Sequence, residues 1–127
     1  MKEVSREIEY KGKKYKIVFN LNVMESIQDK YGSVEAWGNL TDGTVGRDGE
    51  PLKEGETGEV DIKALIYGFQ EMINEGIEID NEDNGTNDPP LTHKQVGRII
   101  SALTQEKVAE EVNNLVIESV NSDEKNV

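Results

Sequence analysis

The spacing of hydrophobic positions changes along the chain, and each change marks a new element. In "EIEYKGKKYKIVF", residues 7–19, Ile8 and Tyr10 alternate with polar neighbours. "KGKK" turns about Gly12, and Tyr15, Ile17 and Phe19 resume the alternation. A period of two on both sides of a glycine turn predicts a β-hairpin, which at this length needs another layer to pack on. In "NLNVMESIQDKYGS" the period lengthens: Met24, Ile27 and Tyr31 form the stripe of an amphipathic helix. Asn22 with Glu25 is the expected N-cap pair and Gly32 the expected C-terminal glycine. "SVEAWGNL" predicts a short helix capped by Ser33 that turns Val34, Trp37 and Leu40 inward.

"DIKALIYGFQEMINEG" carries the clearest stripe, Ile62, Leu65, Ile66, Phe69, Met72 and Ile73, with Asp61 as cap and Gly76 as terminator. Gly68 in its interior costs about 1 kcal/mol relative to alanine, so close packing is expected there. "LTHKQVGRIISAL" opens with a Thr92/Gln95 capping box and a Leu91/Val96 staple, and continues with Ile99, Ile100 and Leu103. Thr104 starts a last helix striped by Val108, Val112, Leu115 and Val116 and extended by Val120.

Residues 41–58, with five glycines and one proline, predict a long surface excursion with a small hairpin at "RDGE". The expected fold is α+β and predominantly α-helical. An N-terminal β-hairpin precedes about four to five amphipathic helices in one small bundle-like domain over residues 1–120. Flexible loops are expected at about 41–59 and 77–90, with a disordered tail at 121–127.

Charge narrows the function. The 127 residues hold 26 acids against 14 bases, a formal net charge of −12. That balance opposes binding to nucleic acid or to an anionic membrane surface and suits solubility or the steering of a basic protein partner. The absence of cysteine removes disulfides, thiolate metal sites and cysteine nucleophiles. No apolar run approaches the roughly 20 residues of a membrane span, and no apolar leader region is visible near the N-terminus. A soluble cytosolic protein is expected.

The acidic stretch "IDNEDNGTNDPPLTHKQVG", residues 79–97, invites comparison with a calcium loop. Counted from Asp80, Glu82, Asn84 and Gly85 fall on loop positions, but the place of the closing bidentate glutamate is taken by Leu91, and Pro89–Pro90 interrupts the exit helix. A polar link into a stapled helix is the expectation, with no metal and no cofactor. His93, the single histidine, lies in a first helical turn with no nucleophile motif nearby. Glu71–Glu75 and Glu110–Glu111 suit solvated helix faces better than paired-acid catalysis. "GTVGRDG" lacks the Lys-Ser/Thr ending of a phosphate loop. Trp37 and Phe69 are expected in the core. A non-enzymatic protein is the consequence.

The order of the parts resembles the tail assembly chaperones of long-tailed, siphovirus-like bacteriophages and prophages. Their pattern is a hydrophobic strand, a helix of the form "xxxEIExxYG", a middle helix with "LLYxxL", then "LTxxxVGxxI" and a last amphipathic helix. The matching residues are Phe19, Leu21, Met24, Ile27, Tyr31 and Gly32, then Leu65, Tyr67, Leu91, Thr92, Val96, Gly97 and Ile100. The resemblance covers nearly the whole chain apart from the 41–58 excursion and the termini.

The resemblance implies a non-enzymatic protein that binds the tape measure protein, keeps it soluble and helps recruit tail tube subunits. It would act in the cytoplasm of the bacterial host and be absent from the mature virion. Val108, Val112, Leu115, Val116 and Val120 are the candidate partner-binding residues, offered in the manner of helix-in-groove recognition. A homo-oligomer is compatible with this picture. The alternative is a head–tail connector or minor tail protein of the virion.

The resemblance also implies a longer, frameshifted form of the same chain, since the family often slips reading frame late in the gene. Glu124–Lys125–Asn126 can be encoded GAA AAA AAC, which contains the slippery run A AAA AAC. The gene is expected to carry this run with an overlapping frame one base back. Codons GAG AAG AAT with no overlapping frame would end the idea.

Overall fold

The computed structural model describes residues 4–43, 50, 52–54 and 58–125, with backbone only for 122–125. Among these residues the chain forms a two-stranded antiparallel sheet followed by five helices, an α+β fold that is mostly helical. The expected "RDGE" hairpin lies outside the described residues.

β1 (Val4–Tyr10) and β2 (Lys13–Phe19) pair from Val4↔Phe19 to Tyr10↔Lys13. Lys11 (φ 52°) and Gly12 (φ 77°) make the two-residue turn, a left-handed pair that matches the twist of the strands. β2 ends in Ile17, Val18 and Phe19, all fully buried.

α1 (Leu21–Tyr31) starts two residues earlier than the Asn22/Glu25 pair suggests. Asn20 is the N-cap, and its side chain accepts from Val23 N at 3.2 Å. The strand runs straight into this cap, so Asn22 already lies inside the helix. Gly32 closes α1 at φ 88°. Ser33 caps α2 (Val34–Thr41) as expected, but only Trp37 of the anticipated apolar trio is fully buried; Leu40 is 38% exposed.

α3 (Ile62–Asn84) is the axis of the fold. Gly76 does not terminate it. A Cβ at Gly76 would collide with the Lys16 carbonyl of β2, so this glycine lets helix and strand touch backbone to backbone. The helix therefore continues through most of the expected 77–90 loop and ends at Gly85 in the left-handed region (φ 65°, ψ 30°). Lys16 Nζ reaches Asp80 at 3.6 Å across the same contact.

The remaining link is fastened rather than loose. The Asn81 amide accepts from Asp88 N at 3.0 Å and donates to Asp88 O at 3.0 Å. Asn74 brackets the Leu91 backbone the same way, accepting from its N–H at 2.8 Å and donating to its carbonyl at 3.1 Å.

Gly68 carries the close packing its position predicts, and the packed group is an indole. A Cβ there would overlap the Trp37 ring, and Trp37 Nε1–H donates to Ala64 O at 2.8 Å. α4 (His93–Leu103) begins at the capping box, with Thr92 N–H donating to Gln95 Oε1 at 2.8 Å and Gln95 N–H to Thr92 Oγ1 at 3.2 Å. α5 (Gln105–Lys125) follows after the single residue Thr104. It continues past residue 120 into the expected tail, a stretch that holds no glycine or proline to stop it.

Arg6 of β1 clamps α5, its Nε 2.9 Å from Glu111 and its guanidinium 2.7 Å from Glu118. Asn113 joins α5 to α2 by donating to Thr41 Oγ1 at 3.3 Å. Ser119 is buried, with its hydroxyl on Leu115 O at 2.8 Å and Phe19 O at 3.5 Å.

Two helix-interior glycines should respond oppositely to alanine. Gly68→Ala inserts a methyl group into the indole, and urea unfolding should record a loss of about 1–3 kcal/mol. Gly97, where a Cβ meets nothing within 4 Å, should gain up to about 1 kcal/mol as Gly97→Ala. Equal effects at the two positions would contradict the packing described.

Candidate docking surface

The residues named for chemistry are dispersed. Asp80, Glu82, Asp83 and Asn84 belong to the last turns of α3 rather than to a loop wrapped around Gly85. Among the described residues no group of three or more His, Asp and Glu side chains is placed to hold a metal ion. His93 is exposed at the first position of α4.

The expected partner-binding stripe divides in two. Val108, Val112 and Leu115 are buried in the chain's own core, against β1, β2 and the flanking helices. Reading them as docking residues is therefore corrected: the sheet and α3 already occupy that side of α5. Val116 is half-buried and packs at the edge of the core, and Val120 is 42% exposed.

Ile117, not singled out in the stripe, is 55% exposed. With Val116 and Val120 it forms an apolar patch on the outer side of α5, since positions three and four apart share a helix face. Ser119 contacts the Phe19 carbonyl, which sets this part of α5 beside the β2–α1 junction. Leu21 stands there, 66% exposed. Glu118 and Glu110, also exposed, flank the patch with negative charge. The run Leu115–Val116–Ile117 is apolar throughout, so a period count alone does not tell which of its members faces the core.

A second concavity, about 310 Å³, opens between β1 and the α4–α5 corner. Ile8, Ile17, Phe69, Leu103, Val108 and Val112 form its apolar lining, and its charged lining is Glu7, Glu9 and Glu111 with Lys107. The corner itself is strained. Thr104 adopts φ 78° and ψ 146°, a conformation that β-branched residues rarely hold. Its Oγ1 accepts from Lys107 N at 3.3 Å and so caps α5.

Most residues that carry the family resemblance have structural duties. Tyr31 stands edge-on to Tyr67, ring centroids 5.7 Å apart at 68°, and Lys30 Nζ lies 4.3 Å from the Tyr67 ring centre. Burial raises both phenol pKa values above 10.0, assisted by Asp61 at Tyr31 and by Glu71 at Tyr67. Tyr67 OH donates to Ser26 O at 3.1 Å, joining α3 to α1. Phe19, Ile27, Leu65, Val96 and Ile100 are core. Leu21 and Gly97 are different: the first is exposed, and the second has open space above it.

No protein-family description, curated protein or solved structure matches the chain. No helix among the described residues is long and apolar enough to cross a membrane.

The division of α5 is open to measurement. Leu115→Asp places a charge in the core and should abolish cooperative thermal unfolding by circular dichroism. Ile117→Asp should leave the melting curve within a few degrees of the parent, as surface changes usually shift stability by less than about 0.5 kcal/mol. Identical behaviour of the two variants would refute the assignment of faces.

Proposed function

We propose that this protein is a non-enzymatic phage tail assembly chaperone that binds the tape measure protein and keeps it soluble while tail tube subunits are recruited. The observation that carries the reading is the apolar patch on α5, where Ile117 and Val120 stand exposed beside the half-buried Val116 at the edge of the core. A protein of net charge −12 that keeps such a patch in solvent is suited to receive an amphipathic helix. Its acidic remainder would keep a coated, otherwise aggregating partner dispersed. The tape measure protein is named on the strength of the sequence resemblance alone. The chaperone works in the host cytoplasm and leaves before the particle matures.

Co-expression with the tape measure protein of the same phage or prophage tests this. The parent should hold that protein in the soluble fraction and co-purify with it, and mass spectrometry of finished particles should not find the chaperone. Ile117→Asp with Val120→Asp should reduce co-purification about tenfold, the effect of losing roughly 1.4 kcal/mol, with the circular dichroism spectrum unchanged. Undiminished capture would remove α5 as the contact. Stoichiometric recovery from virions would favour the structural-component alternative.

A further inference from the structure

The acids of this chain are unevenly placed. Residues 10–24 and 89–105 contain none of the 26, yet they hold Lys11, Lys13, Lys14, Lys16, Lys94 and Arg98. The fold brings the two segments together, because the hairpin tip and α4 line one cleft through Tyr10, Lys11, Tyr15, Leu91, Gln95 and Arg98. Arg98 also lines the shallow groove on the other side of α4, against Ile62 and Ile66 of α3. The two depressions thus form one surface across α4, from the hairpin tip to the start of α3.

Its floor is apolar and its charges are cationic. Ile62, expected in the core, is 42% exposed here, and Ala102 is exposed beside it. Lys94 and Arg98 are exposed and make no ion pair among the described residues. Gly97 lies between them. Gly68 and Gly76 each accommodate a group of this chain, whereas a Cβ at Gly97 would meet nothing. A mid-helix glycine costs about 1 kcal/mol, and here no internal contact offsets that cost. Its effect is to leave room for a close approach from outside.

We propose that this surface docks an amphipathic helix of another protein, one that sets acidic side chains beside an apolar face. The helix would lay its apolar face on Ile62, Ile66 and the open backbone of Gly97 and place carboxylates against Lys94 and Arg98. A long polyanion such as nucleic acid fits less well, because it would extend from this patch over the acidic remainder of the molecule. A helix needs only a local match, since at physiological salt charges beyond about 8 Å are largely screened. The site is distinct from the α5 patch and opposite to it in charge.

Fluorescence anisotropy tests the proposal, using the full chain with Ile117→Asp and Val120→Asp to silence the α5 patch, and two synthetic amphipathic helices with one Leu/Ala face. The first carries Glu on its flanks and the second Lys. The Glu helix should bind at least about tenfold more tightly than the Lys helix. Lys94→Glu with Arg98→Glu should remove that preference. Gly97→Leu, which fills the space without changing charge, should weaken the Glu helix by a similar factor, with all variants folded by circular dichroism.

Equal binding of the two helices, no binding of either, or an unaffected double variant would overturn the proposal. So would tighter binding of a single-stranded oligo-dT that the double variant abolishes. Self-association of the protein alone that the double variant disperses would assign the groove to a second copy and equally overturn it. The probes are not tape measure segments, so failure here leaves the α5 reading standing, and failure there leaves this one.

Discussion

The arrangement of helices depends on one indole seated where a methyl group is missing. Trp37 enters the fold through Gly68, and its N–H finds the Ala64 carbonyl one turn earlier on the same helix. A buried indole without a partner would carry an unsatisfied donor at a cost of about 1–3 kcal/mol. This seat meets the ring's volume and its polarity at once. It fixes α2 against α3, and Thr41 on the same short helix then receives Asn113 from α5. Three helices are thereby referred to a single side chain.

α3 makes the second such contact at its other glycine. With Gly76 against the Lys16 carbonyl, the sheet lies on the helix at backbone distance, and β2 can bury Ile17, Val18 and Phe19 completely. The same closeness carries the helix beyond where a glycine ordinarily stops one. Asn74 and Asn81 then bind the acidic link through main-chain groups, so its backbone polar groups are met by side chains rather than by a ladder. The stretch that looks like a metal loop in composition is a helix end with a tethered connection.

The hairpin, the five helices and most caps were legible because each rests on a local rule: period, cap chemistry or a turn glycine. The misreadings share a different cause. Gly76 has the local signature of a terminator, and only the strand across from it explains why it is not one. Asn20 and Asn22 are both good caps, and the choice between them is made by where β2 ends. Ile62 and Leu40 fit the apolar stripe of their helices but extend past the layer that could cover them. On α5 the periodicity identified an apolar helix, while the side facing β1 and α3 decided that Leu115 is core and Ile117 is surface. Long-range contacts, absent from any single window of sequence, separate a docking patch from a core.

The excursion between α2 and α3 leaves and returns at one place. Asp61 N–H donates to the Leu40 carbonyl at 2.8 Å, and the backbones of Gly43 and Gly58 are in contact. Lengthening a segment whose ends are clasped in this way costs little, since doubling the length of a loop changes its closure entropy by only about 0.6 kcal/mol. The molecule is in effect spliceable at this point. New sequence, whether a reporter or a lineage's own insertion, can be threaded through the clasp while the Trp37 seat a few residues upstream stays in place.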